Sequence, residues 1–194
     1  MNITIKKLEP ALIDDYFRFF EQIAFADHPE WGCECYCCFF HATDAAEWKA
    51  RTVAANRAVA QAMIMTGRLQ GMLAFADNIP VAWCHYDLKE NLPGLKIFYP
   101  DLIEDNPEQL KIASIVCFTV AQGYRGLGLA SSLLRAACAD LTEQGCSIIE
   151  AYPRTAESSI EEHYHGPLPL YLNQGFAIYR QLPEQAVVRI LNIN

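Results

Sequence analysis

From Lys111 to Leu134 the chain runs from an apolar strand pattern through a glycine turn into a helical apolar stripe, an order that few folds accommodate. Ile112 to Val120 is continuously apolar, as a strand covered on both faces of a sheet must be. Leu129, Leu133, Leu134, Ala137 and Leu141 then recur at helical spacing up to Gly145, and Ser147 to Tyr152 forms the next strand pattern. The unit is βαβ, with a right-handed crossover expected. In the turn, Gly126 and Gly128 let the backbone approach a ligand closely. The unpaired N–H groups opening the helix converge there with the positive end of its dipole. A phosphate-bearing cofactor fits such a place.

The turn lacks a Gly-Lys-Ser/Thr ending, which removes the lysine and the magnesium-binding hydroxyl that a nucleoside triphosphate loop needs. A dinucleotide fingerprint is partly met, because Gly126-Leu127-Gly128 is followed by a helix and a strand reaching Glu150; Ser131, however, stands at its third glycine. That alternative predicts nicotinamide or flavin binding. Arg125-x-x-Gly128-x-Ala130, five residues after Val120, resembles the coenzyme A loop of the GNAT superfamily of N-acetyltransferases. Leu170-Tyr171-Leu172-Asn173-Gln174-Gly175-Phe176 resembles the Leu-Tyr-x-x-x-Gly-Phe segment near the end of GNAT domains. With the hairpin from Gly71 to Leu88, turned at Asp77-Asn78, the resemblance covers roughly residues 68 to 182. The segment from Trp31 to His41 is similar to that of a GNAT subgroup rich in Cys and aromatic residues near the N-terminus.

The resemblance implies an α/β fold with a mixed, mostly antiparallel central sheet of about 6–7 strands flanked by helices, in which a splayed strand pair holds acetyl-CoA. It implies pyrophosphate binding on the backbone of Arg125, Gly126, Gly128, Leu129, Ala130 and Ser131, with Arg125 adding a charge contact or only shaping the loop. Backbone groups of Phe118 and Val120 would hold the pantetheine arm and face the thioester oxygen, a donor worth ~3 kcal/mol in the transition state. Tyr171 would be the general acid to the departing thiolate, since its ordinary pKa near ~10 keeps it protonated at neutral pH. Glu150 is the candidate base, with His85, His163, His165 or water as alternatives. The expected reaction is direct transfer of acetyl to a primary amine of a small molecule or peptide. Cys117 lies on the right strand for a covalent route, but no histidine is placed by motif to activate it.

Cys33-x-Cys35-x-Cys37-Cys38 with His41 invites a metal reading, but alternate cysteines on a strand lie ~6–7 Å apart on one face and do not converge on one ion. No metal is expected. An apolar wall beside the acceptor, formed with Trp31, Tyr36, Phe39 and Phe40, is the favoured role. A non-catalytic coenzyme A-binding or thiol- or metal-sensing protein on the same fold is the rival from another class. The other cysteines, Cys84, Cys117, Cys138 and Cys146, sit in apolar patterns as small hydrophobes.

A net charge of −8 and the lack of a basic cluster argue against a nucleic-acid partner. No apolar run reaches the ~18 residues of a membrane span, and the start lacks the zones of a secretory signal, so a cytoplasmic protein is expected. The whole chain, 1–194, is expected to form one acetyltransferase domain, a monomer or homodimer, with residues 1–67 on the acceptor side and 68–194 as cofactor-binding core. Asn2 to Lys7 alternates as a strand, Glu9 to Ala24 has helical spacing with Ile23 on the apolar side, and Asp44 caps a long helix through Ala62. Residues 89–110 read as an irregular excursion with a helical turn, and Pro153 to His165 as an acidic loop whose part from Glu157 to His165 could form a lid over the acceptor. A short helix with Tyr171 and strands near Phe176 to Arg180 and Ala186 to Leu191 close the chain.

Overall fold

The computed structural model describes residues 1–28, 35–104, 110–155 and 164–191. Trp31, Cys33, His163 and most of the acidic loop expected from Pro153 to His165 lie outside the described residues. Seven strands form one sheet in the order β1-β2-β3-β4-β5-β7-β6. They are β1 (Ile3–Lys7), β2 (Gly71–Ala76), β3 (Ile79–Leu88), β4 (Ile112–Val120), β5 (Ile148–Ala151), β6 (Ala177–Gln181) and β7 (Ala186–Leu191). Every neighbouring pair is antiparallel except β4 with β5, which are joined by the crossover helix α5 (Leu129–Glu143). This is the mixed, mostly antiparallel sheet that the resemblance implied. Asp77 and Asn78 both take positive φ, 47° and 68°, which a two-residue hairpin turn needs to follow the twist of its strands.

Side-chain alternation along β2 sends Met72 and Ala74 to one face and Leu73 and Phe75 to the other. The first face is closed by α5, whose Leu129, Leu133, Leu134 and Leu141 are buried, each contributing about 1.5–3 kcal/mol by leaving water. The second is closed by the N-terminal helical segment and α3 (Val53–Met65), through Tyr16, Phe19, Phe20, Met63 and Ile64 against Leu73, Phe75 and Trp83.

Two expected helices are built differently. The stretch from Glu9 to Ala24 comprises a 3-10 turn (Pro10–Leu12), α1 (Ile13–Arg18) and a π turn (Phe19–Ile23) closed by the Ala24 N–H on the Phe19 carbonyl at 2.8 Å. The extra residue in that turn rotates the succeeding side chains about the helix axis, so Ala24 is fully buried while Ile23, expected inside, is only half-buried. The long helix expected from Asp44 is broken at Arg51 and Thr52 into α2 (Ala45–Ala50) and α3. Asp44 caps the first by accepting from the Glu47 N–H, and the Thr52 hydroxyl caps the second by accepting from the Ala55 N–H at 3.2 Å. Threonine satisfies more backbone donors there than in a helix interior. The excursion after β3 holds α4 (Pro93–Phe98) between two 3-10 turns, and α6 (Leu168–Leu172) precedes β6.

One polar cluster ties β1 to α5. Lys7 bonds both carboxylate oxygens of Asp140 at 2.7 and 2.9 Å, and Tyr86 and Gln144 each donate to Asp140 Oδ2 at 2.7 Å. Burial pushes this carboxyl up, but the Lys7, Tyr86 and Gln144 contacts outweigh it and hold the group below its ordinary value. A carboxyl depressed in the folded state stabilises above its unfolded pKa and loses that contribution as pH falls through the folded one. Lys7→Met is therefore expected to shift acid unfolding to higher pH, measured by circular dichroism across a pH series.

Candidate active site

The β4–β5 ladder is short. It pairs Ile112 to Ile115 with Ile148 to Ala151, after which β5 ends while β4 runs on to Val120. On its other side, β4 pairs with β3 through a bulge: His85 faces Cys117 and Tyr86 faces Ile115, so Val116 is the extra residue. Bulge and ladder end coincide, and from Val116 onward the β5-facing edge of β4 carries backbone groups without a strand partner among the described residues. Phe118 and Val120 lie on this free edge. Ile149 and Ala151 face α5, so Glu150 and Tyr152 lie on the opposite face with Trp83 and His85.

At the end of β4, Gly126 and Gly128 both take φ of +77°, a left-handed conformation that favours glycine, and a Cβ at either would meet nothing within 4 Å. Gly128 is the N-cap of α5 and brings no side chain to the first-turn N–H groups of Leu129, Ala130 and Ser131. The open space above the turn, the uncapped donors and the fifteen-residue dipole behind them suit the pyrophosphate of a coenzyme A ester. The adjoining free edge of β4 suits an amide-bearing arm. Arg125 braces this loop: its Nε donates to the Val120 carbonyl at 3.1 Å and its Nη1 to Asp27 Oδ2 at 3.0 Å.

Tyr171 is fully buried, its ring packed on Phe118 and Phe176, and its hydroxyl donates to the main-chain carbonyl of His165. Burial drives its pKa well above the ordinary value, so the hydroxyl stays protonated. Glu150, also fully buried, is the centre of an ion cluster. Lys89 meets Oε2 at 2.7 Å, Arg189 meets Oε1 through Nη2 at 2.5 Å and Nε at 2.6 Å, and Tyr152 donates to Oε2 at 3.0 Å. Ser114 extends the chain by bonding the Tyr152 hydroxyl at 2.8 Å. Sequence reasoning placed Glu150 on its strand and gave no sign of these partners, which arrive from the end of β3 and from β7.

Three histidines gather on the face opposite α5. His41 Nδ1 lies 3.0 Å from the Asn91 carbonyl, and its Nε2 lies 3.1 Å from His85 Nε2. Burial lowers the pKa of His41 to about 4 and that of His85 well below its ordinary value. His165 is enclosed by Phe40, Tyr99, Tyr152 and Tyr164, and Tyr99 and Tyr164 bond to each other through their hydroxyls. Neither ring nitrogen of His165 makes a well-aligned hydrogen bond among the described residues. Burial lowers its pKa to about 3, opposed by the nearby Val116 backbone. Tyr99 also lines a cavity of about 750 Å³ bordered by Phe98, Leu102, Arg180, Leu182 and Gln185.

The cysteine segment packs into the core. Cys37 and Cys38 are buried with Tyr16, Phe20 and Trp83, and the indole N–H of Trp83 donates to Cys37 Sγ at 3.2 Å. Cys35 and Cys117 lie beside Cys37, whose thiol pKa is raised by those thiol contacts and by burial. Among the described residues no group of three or more His, Cys, Asp or Glu side chains is arranged to hold a metal ion, and no helix is long and apolar enough to cross a membrane.

The family model described as the acetyltransferase (GNAT) family matches residues 12–163, from the N-terminal helical segment through the Gly126–Gly128 turn to β5 and beyond. The chain belongs to the GNAT acetyltransferase family. Solved structures share the GNAT fold at low identity. A chain of the NatC complex bound to Gag peptide and CoA is 14% identical with a TM-score of 0.59, with 100% of each chain covered. PaiA N-acetyltransferase from Thermoplasma acidophilum, in complex with coenzyme A, is 13% identical with a TM-score of 0.56, covering 98% of this chain and 99% of that one. YncA of Salmonella typhimurium, a putative acetyltransferase solved with acetyl-CoA, is 13% identical with a TM-score of 0.55, covering 97% and 93%. No curated protein sequence matches the chain.

Proposed function

We propose that this GNAT protein transfers acetyl from acetyl-CoA to a primary amine of a small molecule or peptide, by direct attack, with residues 1–194 acting as one domain. The observation that carries the reading is the coincidence of the uncapped α5 N-terminus at Gly128 with the free edge of β4 from Val116 to Val120. One feature binds phosphate and the other binds an extended amide chain. The named ligands of similar structures, coenzyme A and acetyl-CoA, support it.

The bound thioester supplies an electrophilic carbonyl. In this proposal the N–H groups of Gly126 and of Leu129 to Ser131 hold the pyrophosphate, while backbone groups of Phe118 and Val120 align the arm and stabilise developing negative charge on the carbonyl oxygen. Tyr171 acts as proton donor to the thiolate by turning its hydroxyl from the His165 carbonyl, and its raised pKa keeps the proton available. Glu150, held between Lys89 and Arg189 on the face opposite α5, is the carboxylate candidate for the base. The amine enters by the cavity beside Tyr99.

Calorimetry with acetyl-CoA, coenzyme A, NADH and ATP, followed by an amine screen, tests the reading. Acetyl-CoA is expected to bind in the micromolar range and the nucleotides not at all; NADH binding in its place would favour an oxidoreductase. Tyr171→Phe is expected to lower kcat ~100-fold with unchanged acetyl-CoA affinity, the scale of lost acid–base assistance. Unchanged turnover would reduce Tyr171 to packing.

A further inference from the structure

A buried and a half-buried imidazole meet through their Nε2 atoms on the sheet face opposite α5, and their partners dictate where each proton sits. The Asn91 carbonyl can only accept, so His41 Nδ1 carries hydrogen. Burial keeps both rings neutral at pH 7, which leaves His41 Nε2 as an acceptor and makes His85 Nε2 the donor in the 3.1 Å contact. His85 Nδ1 is then a bare lone pair on a fully buried side chain, and it has no hydrogen-bond partner among the described residues. An acceptor left unsatisfied in the interior is costly, so an N–H brought to it is favoured.

The position of His85 gives that lone pair a use. His85 stands opposite Cys117 at the bulge where β4 parts from β5, between the rings of Trp83 and Phe40. The outer end of the pair is held equally firmly. Asp87, two residues along β3, accepts from Asn91 Nδ2 at 2.9 Å and so fixes the residue whose carbonyl orients His41. His41 is half-buried, nearer to solvent than His85. The charged group acting on it is Arg68.

We propose that His85 and His41 form a two-imidazole relay that takes the proton from the acceptor amine, with His85 as the catalytic base and His41 as the positioning residue that receives the charge. This rests on the acetyl-transfer reading above. As the amine nitrogen bonds to the thioester carbon, its N–H bond breaks and the proton joins His85 Nδ1. The His85 Nε2–H bond breaks in turn and that proton joins His41 Nε2. His85 ends neutral, and the positive charge rests on the better solvated ring, from which it passes to water. Proton count and charge balance without a further reactant.

Long-range proton–nitrogen correlation NMR on protein labelled with nitrogen-15 in histidine tests the arrangement directly. The expected result at pH 7 is His41 protonated at Nδ1 and His85 protonated at Nε2 only; hydrogen on His85 Nδ1, or a cationic ring, would overturn the relay. Thiol release from acetyl-CoA with hydroxylamine, a nucleophile small enough for any acceptor cleft, gives the second readout. His41→Ala is expected to lower kcat ~30-fold at unchanged acetyl-CoA affinity, with recovery on adding imidazole, because a positioned base contributes ~100-fold or more. His41→Gln is expected to lose the same turnover without recovery. Turnover equal to wild type in both variants would reject the relay. Wild type that binds no acetyl-CoA would instead reject the acetyltransferase reading, whatever the tautomers.

Discussion

Gly128→Glu is expected to weaken acetyl-CoA binding at least ~100-fold while the protein stays folded. The new Cβ meets no atom within 4 Å, so the fold cost is confined to the left-handed φ of +77°, about 1–2 kcal/mol for a residue other than glycine. A carboxylate beside the first turn of α5 recovers part of that from the helix dipole, about 0.3–1 kcal/mol. Toward the cofactor the same charge is repulsive. One unit charge ~5 Å from another costs about 3 kcal/mol at an effective dielectric of ~20. Each ~1.4 kcal/mol is tenfold in affinity, so one such contact already exceeds ~100-fold. Gly128→Ala carries the φ strain without the charge and is expected to bind within about tenfold of wild type. Calorimetry of both variants decides the matter: equal losses would mean that loop geometry, not an anion site, governs binding.

Glu150→Ala is expected to cost about 3–5 kcal/mol of stability, the range seen when one partner of a buried ion pair is removed. The loss arises from the two cations left behind, since Lys89 and Arg189 both place their charge against a fully buried carboxylate. Arg189 keeps its place over the Tyr179 ring, but the carboxylate it retains is Glu104 at 3.8 Å, which Arg180 already engages at 3.2 Å. Glu150→Gln preserves shape and hydrogen-bonding capacity without the charge, and is expected to lose less, about 1–3 kcal/mol. Denaturant unfolding of the three proteins measures this. Turnover of the glutamine variant then separates two roles: activity lost from a folded, acetyl-CoA-binding protein supports Glu150 as a base. Activity retained assigns proton removal elsewhere, as the His85–His41 pair does.

Glu150 also shows where sequence reading stops. Its strand, its end position and its neighbours in the chain are local facts, and they were legible. Its two cations come from Lys89, sixty-one residues earlier, and Arg189, thirty-nine residues later. Only the order of β3, β5 and β7 in the sheet brings them to it. Arg125 is similar: its motif marked it for the cofactor loop, while the carboxylate that braces it, Asp27, belongs to the N-terminal helical segment. Tyr171 was recognisable from its spacing to Gly175 and Phe176, but the His165 carbonyl that engages its hydroxyl depends on the fold of the preceding turn.

By itself the sequence determined the βαβ unit around Gly126 and Gly128, the hairpin turned at Asp77 and Asn78, and the succession of strands, because periodicity and backbone preference act over a few neighbouring residues. Tertiary structure alone decided the π turn after Arg18, the break at Thr52, the bulge at Val116 and the meeting of His41 with His85. Each of these depends on strand register or on competition for space in the core, and a one-residue shift in register moves a side chain to the other face of the sheet. The chemistry-bearing pairs of this protein are contacts across such registers, so the chain order that encodes the fold does not display them.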